Sequence, residues 1–470
     1  LLYQGRRLLP EGDLDQFIVK KIEQAVLPPD SLIFLPSPLK VEIFNHVLQH
    51  LPPSSYLVWM EIEPALYQST PKISHPQLIE WNPSLSPDQL PLPWLTIRKV
   101  VELSLTGGRN LHPQAYLQFF HQLEAELGRQ WKNRLTWQVL GPRWSQNLWE
   151  NLLNMRPTPP FSIPQPKTLP LVLGAGPSVE ADLELIRKYR SQLWILAVDS
   201  ILPTLLELEI QPDLVAVLES QIINIRDFAS AVGQKIPLVI DLSAHPSHTK
   251  ILKGPTIWTV TEFAPLKFFT HLKEKLPLLY LPPLGSVGNY ALQFALDIWQ
   301  GTVLVGGLDF HFPPGKTHAR GSAHHQALEA SHHRLNPLDT PGFGVPSKPG
   351  NLPGLRTTPN LEVYATLFSH QAKGRVQQIT PEAFNQSTAN FQNTFLWNEP
   401  SIVDVKNFTQ ELFSQMKTLQ SQIQQGKPDL ELLNRLDFFW FWEYTYLSNP
   451  LNPLFLKKIE IQIRRLLKYF

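Results

Sequence analysis

The 470-residue chain contains no cysteine. Disulfides, thiolate catalysis and cysteine-held zinc or iron–sulfur centres are therefore excluded. It has almost no net charge, with 41 Lys and Arg against 40 Asp and Glu. A bulk nucleic-acid binder carries a clear basic excess, so nucleic acid is not an expected partner. No apolar run approaches the ~18 residues of a membrane span, so no transmembrane segment is expected. The opening stretch LLYQGRRLLPEGDLDQ has no apolar core of a signal peptide, and a cytoplasmic location is the expectation. Charged residues make up only 17% while hydrophobic ones reach 43%, a balance that excludes a disordered chain. Proline, at 45 residues, is in surplus.

The length predicts two or three domains, and three zones can be drawn. Residues 1–160 read as an N-terminal α/β domain. They hold strand-like runs at 31–36, 56–63 and 94–103, and a helix at 113–129 with Tyr116, Phe119, Phe120, Leu123 and Leu127 in helical spacing. The proline-rich stretch 156–170 suits neither a helix nor a central strand and reads as a linker. Residues 161–395 alternate apolar runs with helical patterns. Strands are expected at 169–174, 193–198, 214–218, 237–241, 256–260 and 302–307, with helices such as 179–189 and 287–298 between them. Runs this apolar belong to a parallel sheet covered on both faces, so the fold class is α/β, with a doubly wound, Rossmann-like central domain. Residues 396–470 read as a C-terminal helical domain, with helices at 408–424 and 454–470 around an aromatic stretch at 437–447. The last helix sets Lys457, Lys458, Arg464, Arg465 and Lys468 beside Ile459, Ile463 and Leu467. Such a helix can bind a membrane surface or a partner. The plainer reading is that it packs its apolar face and solvates its charges.

The strongest local signal is LVLGAGPSVEADLELI at 171–186. An apolar strand runs into Gly174 and Gly176, then Pro177 and Ser178, then a helical pattern. Glycines permit a tight turn and a close ligand, and free N–H groups at a helix start suit a phosphate. The dinucleotide fingerprint G-x-G-x-x-G fails at its third glycine, where Val179 stands, although Asp199 lies about where a ribose-binding acid would sit. The Walker A pattern is absent. A second turn, Gly285-Ser286-Val287-Gly288, opens another helix, and its capping serine and amides are a further candidate anion site. The third signal is LVGGLDFHF, where a buried strand ends in Asp309. Ligands of open α/β sheets bind beyond such strand ends.

Five histidines follow within 315–334. His325, Glu329 and His333 stand four apart and would share one face of a helix, as a metal triad or as a plain polar surface. The latter is favoured, and no metal site is assigned. His318 lies on the loop beyond Asp309, where a neutral imidazole could serve as general base.

GAGPS (174–178), AVDSILPTLLELEIQPDLVAVLES (197–220), GSVGNYALQFA (285–295), VGGLDF (305–310) and KTHARG (316–321) occur in this order. Together they resemble the central domain of the motility accessory factors, or Maf proteins, flagellin glycosyltransferases grouped with the 6-hydroxymethylpterin diphosphokinase MptE-like domain. Bacterial sialyltransferases are similar in pairing a G-x-G-P-S turn with an S-V-G-x-Y helix start and a G-x-D-F strand end. The resemblance implies a CMP-activated nonulosonic acid bound across both glycine turns and passed to a Ser or Thr hydroxyl of flagellin or another protein. In that reading Gly174, Gly176, Pro177, Ser178, Asp199, Glu219, Gly285, Ser286 and Gly288 hold the nucleotide, and His318 or Asp309 takes the acceptor's proton. Glu219 stands where the family usually has Asp. The alternative is ATP-dependent pyrophosphoryl transfer to a pterin, which would need Mg²⁺ held by acids such as Asp199, Glu219 or Asp309. A non-catalytic motility or assembly factor is the third.

Overall fold

The computed structural model describes residues 1–156, 169–335, 347–385, 401–443 and 451–469. The chain divides into two compact units. One comprises Leu1–Val139 and a short segment beginning at Trp442. The other comprises Leu140–Phe441 and the last segment, beginning at Leu451.

The first unit is built on four parallel strands: β1 (Ser31–Pro36), β2 (Tyr56–Met60), β3 (Leu78–Glu80) and β4 (Lys99–Glu102), in the order β3-β2-β1-β4. Side chains alternate across a strand, so each face buries its own set. Ile33, Leu35, Leu57 and Trp59 pack with Ile18, Ile22, Ile43, Phe44 and Val47 of the helices Leu14–Ala25 and Val41–His50. Leu32, Phe34, Val58 and Met60 pack with Tyr116, Leu123 and Leu127 of the helix Pro113–Asn154. The strand expected at 94–103 shrinks to β4. Both the N–H and the hydroxyl of Thr96 bond back to the Pro93 carbonyl, and that local turn replaces the ladder.

The second unit holds an eight-stranded, wholly parallel sheet. Its strands are β5 (Leu169–Leu173), β6 (Leu193–Val198), β7 (Leu214–Val217), β8 (Leu238–Asp241), β9 (Thr256–Thr261), β10 (Leu279–Leu281), β11 (Val303–Gly306) and β12 (Val376–Gln378). The order is β10-β9-β8-β7-β6-β5-β11-β12. All six expected strands are present, while the edge strands β10 and β12 were not expected. The inner strands β5 to β8 and β11 are buried along their whole length, as two-sided covering requires. The helix Val287–Ile298 falls where its periodicity placed it and buries nine of its residues, among them Tyr290, Leu292 and Phe294. The helix expected at 179–189 is instead a 3₁₀ turn, Pro177–Ala181, followed by a short helix, Leu183–Lys188. Of the expected linker, residues 157–168 lie outside the described residues, and 169–170 already belong to β5.

The helices Ile402–Gln424, Leu430–Arg435 and Pro453–Leu467 pack in the same unit as this large sheet. The last buries Phe455, Ile459, Ile463 and Leu466, so its apolar stripe is core. No helix among the described residues is long and apolar enough to cross a membrane.

Candidate functional site

The strand order reverses at β5. The chain adds β6 to β10 on one side of it and returns with β11 on the other. This is a topological switch point, where the loops beyond two adjacent strands part and leave a crevice. Gly174 follows β5, and Gly307 follows β11. The Gly174 N–H donates to the Gly306 carbonyl at 2.8 Å, and the Gly176 N–H donates to the Gly307 carbonyl at 2.9 Å. A Cβ on Gly174 would fall onto the Gly307 carbonyl, and one on Gly307 onto that of Gly174. Gly307 also has φ +67°, which favours glycine. The two motifs thus carry glycine because two backbones touch there.

Asp309 closes over the first glycine turn. Its carboxylate accepts from the Ser178 N–H at 2.9 Å and from the Ser178 hydroxyl. The donors expected to hold a phosphate are therefore engaged by a side chain of the protein itself. The loop carrying His318 is fastened to the same turn. Lys316 pairs with Glu180 at 2.6 Å, the Arg320 N–H donates to Glu180 at 2.7 Å, and the Ala319 N–H donates to the Ala175 carbonyl at 2.8 Å.

The second glycine turn is arranged differently. Ser286 caps the helix Val287–Ile298 by accepting from the Asn289 N–H at 3.2 Å. Ser286, Val287 and Gly288 line the cavity, so the positive end of a twelve-residue helix opens into it. Gly285 has φ +75°, and a Cβ there would strike the ring of Tyr364. Tyr364 belongs to the helix Pro359–Ala372, which Thr358 caps by accepting from the Leu361 N–H. The Asn289 side chain donates to the Tyr364 carbonyl at 3.0 Å, and that of Gln371 donates to the Asn289 carbonyl at 3.0 Å. These bonds bolt one wall of the crevice to the helix that opens into it.

The resulting cavity measures about 310 Å³. Of the residues singled out in the sequence, Gly174, Gly176, Ser286, Gly288, Asp309 and His318 line it. Pro177, Ser178 and Gly285 build its turns from behind. Asp199 follows β6 almost fully buried; its Oδ1 accepts from the Ser200 N–H at 2.8 Å, and its Oδ2 has no partner among the described residues. Burial, and then the nearby charge of Asp227, raise the Asp199 carboxyl well above its ordinary range. Glu219 accepts from the Gln221 N–H at 3.0 Å, in the loop after β7. His318 is half-buried, and its Nδ1 lies 3.1 Å from the Thr317 hydroxyl. Loss of solvent, then His324, Arg226 and His325, push its imidazole down to about 3. It is neutral at physiological pH.

His325 and Glu329 do pair, at 3.3 Å, but the helix Ala323–Ser331 ends before His333. Among the described residues no group of three or more His, Asp or Glu is placed to hold a metal ion. Sequence reasoning missed the wall residues Phe310, Asn360, Leu361 and Tyr364. The signal for the last three was legible: Thr358-Pro359 is a helix start, with its cap and a proline in the first turn. Phe310 has φ +56°, a strained conformation for an aromatic residue, and no sequence signal announces it.

Residues 146–315 match the family model described as 6-hydroxymethylpterin diphosphokinase MptE-like. Two uncharacterized proteins of Treponema pallidum (strain Nichols) are similar. One is 27% identical over 392 residues, spanning 78% of this chain and 68% of its own length. The other is 27% identical over 148 residues, spanning 28% and 37%. Among solved structures, the MAf glycosyltransferase from Magnetospirillum magneticum AMB-1 superimposes with a TM-score of 0.52 at 13% identity, over 99% of this chain and 85% of that one. At that identity the likeness is one of fold. Residues 146–315 are thus similar to the MptE-like domain, and the chain shares its fold with a Maf glycosyltransferase, the two likenesses its motifs led one to expect.

Proposed function

We propose that this chain is a glycosyltransferase that passes a nonulosonic sugar from a CMP-sugar to a Ser or Thr hydroxyl of a flagellin-like protein. The observation that carries the reading is the cavity at the switch point. A helix N-terminus opens into it, and a neutral imidazole stands on its wall. The nucleotide phosphate belongs at Ser286–Gly288, where the amides and the dipole of Val287–Ile298 favour an anion. The first glycine turn supports the site as its floor, since Asp309 already binds Ser178. In the reaction the acceptor oxygen bonds to the anomeric carbon, and the bond from that carbon to the phosphate oxygen breaks. The electron pair leaves with CMP, whose charge the helix end stabilises. The hydroxyl proton passes to His318.

The diphosphokinase reading is favoured by the description of the matching family model. It needs Mg²⁺ between acids and phosphates. The acids available are set poorly for this, because Asp309 is held by Ser178, and Asp199 and Glu219 lie outside the cavity lining. Calorimetry with CMP and with ATP–Mg²⁺ separates the two. Binding of CMP is expected; tight binding of ATP–Mg²⁺ with none of CMP would overturn the glycosyltransferase reading.

A further inference from the structure

Behind His318 lies a carboxylate that the reaction above does not use. Asp227, in the 3₁₀ stretch Ile222–Ala231, is 0% exposed, and neither of its side-chain oxygens has a hydrogen-bond partner among the described residues. Buried carboxylates without donors are costly, and folds rarely keep them without a use. The ring of His324 faces Asp227, with Nδ1 at 3.7 Å from Oδ1, and that nitrogen has no hydrogen-bond partner either. The same ring stacks on His318, centroids 4.5 Å apart and planes 21° apart. Carboxylate, imidazole and base therefore form one file from the interior to the cavity wall. The charged and titratable groups around it are Arg226, beside Asp227 in the same stretch, Asp199 after β6, Glu219 after β7, and His325 beside His324.

We infer that Asp227 is a positioning and charge-balancing residue for His318, acting through the stacked ring of His324. This rests on His318 being the base of the proposed transfer. When the acceptor O–H bond breaks, His318 gains the proton and becomes an imidazolium. The surrounding Arg226 and histidines oppose that charge, and the Asp227 carboxylate, reached through the stacked ring of His324, offsets it. Asp227 takes no proton in the step. His324 holds the His318 ring in one plane at the cavity wall.

The test is Asp227→Asn, which keeps shape and removes charge. Turnover is expected to fall on the order of 10- to 100-fold, as for a base weakened without being removed. CMP affinity should stay, and the melting temperature should hold or rise, because an orphaned buried charge is gone. In the wild type, activity should fall on the acid side near pH 6, where burial sets the Asp227 carboxyl; in the variant that step should vanish. Unchanged turnover with an unchanged pH profile would overturn the inference. So would a lower melting temperature with the acid step retained, which marks a merely structural carboxylate. His324→Phe keeps a stacked ring and serves where the first variant fails to fold; wild-type turnover in it would equally overturn the inference. A readout independent of the sugar reading is the NMR titration of the His318 ring without ligand. The ring signals should shift as the Asp227 carboxyl titrates near pH 6; Asp227→Asn should abolish that step, and a wild-type ring that senses no such step sinks the inference even where CMP binds.

Discussion

As the proposed base, His318 must be deprotonated to accept a proton and basic enough to keep it. Burial satisfies the first demand and works against the second, since its imidazole sits near 3. His318→Ala is therefore expected to cut turnover by roughly 10²–10⁴. CMP affinity should be nearly unchanged, because the ring stands on the wall and the phosphate is proposed to sit at the helix end. Steady-state kinetics beside calorimetry check this, and unchanged turnover would remove the role from His318. The glycines of the site were legible because only glycine allows Gly174 and Gly307 to touch. The bond between Ser178 and Asp309 was not. It joins residues 131 positions apart, and nothing local to either foretells it. The sequence therefore pointed to the first turn as the phosphate cradle, while in the fold it is a floor already sealed by a carboxylate.

At the scale of elements, the buried strands were legible as unbroken apolar runs, and the three-residue edges β10 and β12 were too short to register. The helix Pro113–Asn154 was expected to stop at 129, since Gly128, Gly141 and Pro142 all disfavour helix. Its later turns are held by long-range bonds instead. Asn151 donates to the carbonyls of Leu242 and Ala244 at 2.9 and 2.8 Å, and Asn147 to those of Ser220 and Ser243 at 3.0 and 2.9 Å. Asn151→Ala strands two buried carbonyls and should cost about 1–3 kcal/mol in urea unfolding; a loss well below that would mean water replaces the amide. A second element carries a pH dependence. Asp437 accepts from the N–H groups of Lys267 and Phe268 at 2.8 and 3.1 Å, capping the helix Lys267–Lys275. Burial nonetheless lifts its carboxyl from an ordinary 3.8 to about 7. Between those values the folded chain holds a proton that the unfolded chain has lost, so this group's stabilisation falls as pH rises from 4 to 7. The slope is at most about 1.4 kcal/mol per pH unit. Asp437→Asn should flatten that part of the curve, and an unchanged slope would assign it to other groups.

Over the whole molecule, the parallel sheet and the strand-end location of the motifs followed from composition and order. The division into two compact units did not, because it depends on where the C-terminal helices pack. A ligand at the switch point should stabilise the entire second unit by mass action. CMP at a hundred times its dissociation constant should add about 2.7 kcal/mol, read as a rise in melting temperature. No rise with CMP at any concentration would count against the proposed ligand class. Gly174, Gly176 and Gly307 are joined through main-chain atoms, so the base of the cavity offers almost no side chain to exchange. Any retuning for a different ligand must then be written in the walls, at Phe310, Leu361 and Tyr364. The chain separates what is fixed from what can drift: a main-chain anvil shared by every substrate, and an interchangeable rim on which new preferences can be selected without refolding the sheet.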